Sequence, residues 1–418
     1  MNTTTIQVGT GKTKIKFEKN DFPIKDFDGI HDDLHVRVIL IKGQESLAFV
    51  SIELTSLPNN AVEFYKNIVQ QETEIALENI WITVTHTFAA PHIPPAGKDE
   101  TDITRITLML KRTSEALRKA LKLAKQTQQK AEVGYQSMKN NININRNIET
   151  NSGWWLGQNA NEYSNHEVRV LSFRANDQII AMIVNYDVQS NIMDKVLTTE
   201  GKHLISADFV GYSLEAVEQY YGNKMTAIFI PGAAGDQVPI LQAKMKRLDG
   251  SSLNLHENGY RLVDQLGESL AKSIISAEKA IQEYSKETEI NMCMISVEVS
   301  EQQMQYTTSE LEPHRNFDFI KTGKKLKIAI QLIKINNIYL LSLAPELNSS
   351  FGQLLRKKLK HEHIMICTLV NGAMKYLPEF KDFENITYEA MNTSLGKGAA
   401  EKVVDAVTHL TEKGRWSH

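Results

Sequence analysis

A chain of 418 residues, 42% of them hydrophobic and 23% charged, can bury a large core and is too apolar to be disordered. Its 47 Lys and Arg nearly balance 50 Asp and Glu, so no basic excess points to nucleic acid or to an anionic membrane surface. The two cysteines, Cys293 and Cys367, exclude a disulfide framework and a cysteine-based zinc site. Each sits in an apolar run (MCMISV, IMICTLV) and reads as a buried strand thiol. The opening MNTTTIQVGTGKTKIKF has no apolar signal segment, and no run reaches the ~18 apolar residues of a membrane span. These features predict a soluble, cytoplasmic protein without stable membrane insertion.

Taken in chain order, short β-rich runs alternate with long amphipathic segments. Strands are expected at 34–41 and 47–54, a helix at 59–73, and a strand at 80–85. The helix predicted over 102–126 carries Ile103, Ile106, Leu110, Leu117, Leu121 and Ala124 at helical spacing, with Thr101 or Asp102 as N-cap. The Asn-rich stretch 138–166, with Trp154 and Trp155, reads as a long functional loop. Strands follow at 168–174 and 179–186, a helix at 209–221 capped by Asp208, a strand at 225–230 and a helix at 257–283. After a strand at 292–300, the polar stretch 301–325 reads as a loop or lid. Strands at 326–335 and 338–344, a helix at 347–360, a strand at 363–370 and a helix at 397–412 complete the chain. Most strand runs are continuously apolar, which predicts sheets covered on both faces. The expected class is α/β, with mixed β-sheets covered by helices. No linker-like composition and no internal repeat divides the chain, so a single large domain over 1–418 is expected.

Several strands run into turns that carry chemistry. GTGKT at 9–13 suggests a phosphate loop, but Ile6 stands where that pattern needs glycine, and the segment reads as a Gly-rich turn. His86 and His92 follow the strand IWITVT, where an α/β crevice binds ligands; each reads as a metal ligand or proton carrier, or as a hydrogen-bonded loop histidine. Asp236 sits in the small-residue turn PGAAGD, as a site acid or a turn cap. Glu346 follows the strand IYLLSLA, as a ligand or as a first-turn acid of the next helix. Tyr376 lies in a loop after a further strand, as a site phenol or as a packed aromatic. Polar groups delivered by several strand ends are the form an α/β active site takes.

The order GTGKTKI, GIHDDLHVRVIL, THTFAAPH, VNYDVQS, HLISADFVGY, PGAAGDQVP, LAPELNSSFGQLLR, MKYLP and YEA, from Gly9 to Tyr388, resembles the neutral/alkaline non-lysosomal ceramidase family. More closely, it resembles that family's divergent bacterial members. The resemblance implies a ceramidase-like catalytic domain without the C-terminal immunoglobulin-like domain. It also implies a zinc amidohydrolase, with His86, Glu346 and Tyr376 at three metal-ligand positions. Three positions depart from the family pattern. Gln189 stands at the second ligand histidine, Phe88 at the second histidine of the THTH motif, and Val238 at the essential serine. Glutamine is a poor zinc donor beside imidazole, so either Gln189, His92 or Asp187 fills the gap or the metal is lost. Without the serine, the expected nucleophile is zinc-bound water, with Asp236 or His92 as general base or orienter. Arg37 and Arg146 match family positions near the site, as substrate-anchoring cations or as structural ion pairs. Trp154 and Trp155 would wall the pocket or pin their own loop. The substrate expected is a small soluble amide or related compound rather than ceramide, with no nucleic acid partner and a homo-oligomer left open. The alternative is a non-catalytic ligand-binding protein on the same fold.

Overall fold

The computed structural model describes residues 3–95, 99–246, 251–304, 311–360 and 363–412. Two sheets lie face to face, with helices on both outer surfaces. The larger sheet has eight strands in the order Thr226–Pro231, Gln178–Tyr186, Glu167–Ala175, Gln129–Lys139, Ile6–Lys14, His35–Lys42, Ser46–Ile52, Ile80–Val84. Its outermost pair at each end is parallel and its inner pairs are antiparallel. The smaller sheet runs Ile290–Gln302, Lys321–Ile335, Ile338–Leu343, His363–Cys367, with only the last pair parallel.

The apolar runs explain the layering. A strand with both faces covered needs apolar side chains at every position, not every second one. His35–Ile41 is buried throughout. Ile39, Ile41, Phe49 and Trp81 point into the core between the sheets, where Ile333, Leu340 and Met365 meet them. Val36, Val38, Leu40 and Val50 point the other way, onto Leu117 and Leu121 of the helix Glu100–Gln126 and Tyr65 of the helix Asn59–Thr73. The other half of that surface is covered by the helices Asp208–Tyr220 and Tyr260–Lys279. Ser349–Leu359 and Ala399–Glu412 cover the smaller sheet. Each fully buried Ile, Leu or Phe contributes roughly 1.5–3 kcal/mol. Polar ties cross the middle layer: Trp81 Nε1 donates to Gln331 Oε1 (2.6 Å), and Asn185 Nδ2 to the Ile366 carbonyl (2.8 Å).

The structure differs from the sequence reading in several places. GTGKT is not a turn but part of the strand Ile6–Lys14. Its glycines serve helix packing: a Cβ at Gly9 or Gly11 would lie 2.0 Å from the carbonyl oxygen of Ala124 or Ala120. The stretch 138–166 is not an irregular loop. It holds a β-hairpin, Asn143–Thr150 with Gly153–Asn159, docked on the strand Gln237–Pro239. Asparagine side chains that ordinarily favour turns are spent here on backbone partners: Asn143 Nδ2 donates to the Asp187 carbonyl, and Asn159 Nδ2 to the Asn147 carbonyl. The long helix starts at Glu100, two residues before the expected 102: Asp99, rather than Thr101 or Asp102, is the N-cap and accepts from the Asp102 N–H. Of the polar stretch 301–325, residues 305–310 lie outside the described residues, and strand pairing of Gln302 with Lys321 extends into what read as a lid. Cys293 and Cys367 are buried, unbonded strand thiols, as expected. No helix among the described residues is long and apolar enough to cross a membrane.

Candidate active site

Four chain segments meet where strands of both sheets end. The strand Ile80–Val84 leads into His86, which takes a left-handed backbone (φ 63°). That conformation costs a non-glycine residue energy and turns the side chain away from the strand path. The ring is then fixed from behind. Its Nδ1 lies 2.5 Å from the Thr55 carbonyl, which can only accept, so Nδ1 carries the proton. In the neutral ring Nε2 is therefore a free lone pair, and it lies 3.2 Å from Glu346 Oε2. The bridge Thr87↔Ser190 and the Phe88 N–H bond to the Ser190 carbonyl (3.0 Å) bring Gln189 alongside.

Glu346 and Tyr376 are placed by a second device. Glu346–Leu347 and Tyr376–Leu377 form a two-stranded parallel ladder in which Glu346 and Tyr376 are direct partners. The Glu346 N–H bonds the Lys375 carbonyl at 2.8 Å and locks the register. Burial, then the Glu346 charge, pushes the Tyr376 phenol well above the usual tyrosine range, while Arg146 pulls it the other way.

Arg146 lies under this group. It comes from the hairpin strand Asn143–Thr150, and its Nε and Nη2 donate to Glu389 Oε1 at 2.9 and 2.7 Å. Its guanidinium sits 5.4 Å from the Tyr376 ring centre and 5.3 Å from that of Tyr388. Nη1 donates to Gln189 Oε1 at 3.3 Å. Burial alone would lower the Arg146 pKa; Tyr376 and Glu389 outweigh it and hold the charge in place. Trp155 packs edge-on to Tyr388 at 5.6 Å and so braces the site from behind.

His86, Gln189, Glu346, Tyr376 and Arg146 thus converge. Asp236 adjoins this group, its carbonyl accepting from the Arg146 N–H at 2.8 Å. Asp236 is tied by hydrogen bonds from the Ser349 N–H (2.8 Å), the Asn145 amide (2.8 Å) and Ser349 Oγ (3.1 Å), fastening the PGAAGD turn to the hairpin and to the helix Ser349–Leu359. Burial and the Glu389 charge push its carboxyl up to about 7 against those bonds. Arg37 lies in a buried ion network, bonded to Glu218 (2.9 Å) and paired with Glu53. Burial opposes ionisation of Glu53, but Arg37 and His35 hold it charged. Glu53 is two residues from Thr55, so this network braces the segment that orients His86. His92 keeps a solvent-exposed surface, yet close packing, then Lys375 and Lys25, lower its pKa to about 4, so it is neutral at pH 7. Trp154 lines a polar cleft with Asn147, Asp236 and Asp382. Val238 is buried and pairs with Ile144 in a strand.

Sequence reasoning assigned no role to Tyr388, Glu389 or Asn191. A buried arginine needs a buried counter-charge. The YEA motif supplied it, but nothing in spacing links position 389 to position 146.

A catalytic zinc site needs about three protein donors with an open position, and bonds of about 2.0–2.1 Å at tetrahedral angles put neighbouring donors about 3.3 Å apart. His86 Nε2 and Glu346 Oε2, 3.2 Å apart, meet that spacing, and the Nδ1 bond to Thr55 is the outer support such ligands have. Tyr376 is the partner of Glu346 on the same ladder, so an imidazole and a carboxylate stand at donor spacing with a phenol-bearing residue beside them. Among the described residues no group of three or more His, Cys, Asp or Glu is placed to hold a metal ion.

No family model and no curated protein matches this sequence. Solved structures do. Neutral ceramidase from Pseudomonas aeruginosa superposes with a TM-score of 0.72 at 17% identity, over 98% of this chain and 75% of that one. A structure described as ceramidase complexed with C2 superposes with a TM-score of 0.72 at 16% identity, over 98% of this chain and 76% of that one. The chain therefore has a neutral-ceramidase-like α/β fold.

Proposed function

We propose that this protein is a zinc-dependent hydrolase that cleaves an amide or related bond in a small soluble substrate. One observation carries the reading: His86 has its Nδ1 proton on the Thr55 carbonyl and its Nε2 3.2 Å from Glu346 Oε2, with Tyr376 in ladder register with Glu346. The ceramidase-like fold supports it. Zinc, when bound, supplies Lewis acidity and makes water acidic near neutral pH. The chain's residues do the rest. Thr55 fixes the His86 tautomer, and the two-stranded ladder fixes Glu346 against Tyr376. Arg146, charged but paired with Glu389, keeps a positive field under the Tyr376 oxygen, where negative charge is stabilised. His92, neutral at pH 7, holds a ring lone pair at the edge and can take up a proton, as a weak base. Asp236, held by several donors, orients the turn. A cytoplasmic setting belongs to the same proposal, since both thiols are unbonded.

A specific observation favours a second reading, a binding protein without turnover: Gln189 and Val238 stand where a ligand and a nucleophile are expected. One experiment separates the two. Chelator-stripped protein is reloaded with zinc and screened against N-acyl amides, esters and lactones. Turnover that is lost in Glu346→Ala, lost on chelation and restored by zinc supports the hydrolase. A fully zinc-loaded protein that turns over none of them supports the binding protein.

A further inference from the structure

The orientation of the Gln189 amide is fixed by its neighbours. Its Nε2 lies 3.0 Å from the Ala234 carbonyl, 3.4 Å from the Gly235 carbonyl and 3.3 Å from Glu346 Oε2. All three can only accept. Its Oε1 lies 3.3 Å from Arg146 Nη1, which can only donate, and 3.3 Å from the Asn191 amide. Turning the Gln189 amide over would set oxygen against three oxygens and nitrogen against the Arg146 donor. The side chain is fully buried, so water cannot repair those contacts. An amide nitrogen does not ligate zinc, and the oxygen that would is on the far side, held by Arg146.

We infer that Gln189 is a positioning residue that donates to Glu346, and that a metal in this site is held by His86, Glu346 and Tyr376 alone. The inference rests on the metal reading above. It makes the Arg146–Glu389 pair part of the site's wiring: Arg146 holds the amide oxygen, and the amide nitrogen holds Glu346. It also makes position 189 a place where an imidazole would add a ligand.

The test uses cobalt(II), whose visible absorption reports the donor atoms and their number, on the full-length protein after chelator treatment. Wild type, Gln189→Met and Gln189→His are titrated with cobalt and then with zinc. The expected result is one cobalt spectrum shared by wild type and Gln189→Met, with zinc affinity about tenfold weaker in Gln189→Met because a supporting bond is lost. Gln189→His is expected to give a different spectrum and tighter zinc binding. A changed spectrum in Gln189→Met overturns the inference and leaves the metal reading standing. Cobalt bound by Gln189→His alone shows that the three native donors do not hold a metal and overturns both. No binding in any of the three overturns both. If Gln189→Met does not fold, Gln189→Leu, which also lacks a donor for the metal, carries the comparison: a spectrum changed from wild type overturns the inference.

Discussion

Replacing Glu389 with glutamine tests whether the Arg146–Glu389 pair holds the site together. Both side chains are buried, with Glu389 0% exposed and Arg146 6%. Two charge-assisted bonds, at 2.9 and 2.7 Å, converge on Glu389 Oε1, whereas the buried Oε2 has no hydrogen-bond partner among the described residues. Glutamine keeps an acceptor for the guanidinium but removes its counter-charge. Breaking a buried pair from one side costs about 3–5 kcal/mol, because the surviving charge stays desolvated. Unfolding entropy of about 2.1 cal/mol/K per residue gives about 0.9 kcal/mol/K for 418 residues. The expected fall in Tm is therefore about 3–6 °C by calorimetry at pH 7. Arg146→Met alone should fall comparably, and Arg146→Met with Glu389→Gln should recover part of the loss, since no unpaired charge remains. A Glu389→Gln variant within 1 °C of wild type, or a double variant that loses the sum of the two, would refute the pairing argument.

Gly11→Val should lower stability by at least about 1–3 kcal/mol, read as a lower denaturation midpoint, because its Cβ would collide with the Ala120 carbonyl and push the helix Glu100–Gln126 off its strand. Asp32 predicts a pH effect. Burial first, then the charges of Glu53 and Asp208, raise its carboxyl from 3.8 to about 7 against the Ser206 and Ala207 bonds. A raised acid pKa binds extra proton in the folded state, so stability should fall as pH rises from about 4 to 7 and level off above. Asp32→Asn should flatten that slope in urea titrations across pH; an unchanged slope contradicts the assignment. Thr55→Ala should leave metal binding intact, since its backbone carbonyl holds His86, whereas His86→Ala should weaken zinc binding at least tenfold by titration.

Much of this could be read from the residues, for physical reasons. Strands buried on both faces, such as LHVRVILI and IIAMIVNY, announce themselves as continuous apolar runs, and they set the sheets and the ends from which His86 and Glu346 project. The hairpin at 143–159 escaped because its residues carry turn-like asparagines, whose bonds to backbone groups appear only in three dimensions. GTGKT misled because glycine marks both a tight turn and a close helix crossing; only the Ala120 and Ala124 carbonyls decide which. The orientation of Gln189 was out of reach for the same reason. Its five partners come from segments around positions 146, 191, 234, 235 and 346, and no spacing rule joins them.

The central claim is that an imidazole, a carboxylate and a phenol from distant segments grip one cation. It is tested most directly by soaking crystals of chelator-stripped protein in zinc and collecting anomalous diffraction at the zinc edge. The account predicts a single strong peak within bonding distance of His86 Nε2, the Glu346 carboxylate and the Tyr376 oxygen. Saturating zinc with no peak among those three side chains would contradict it.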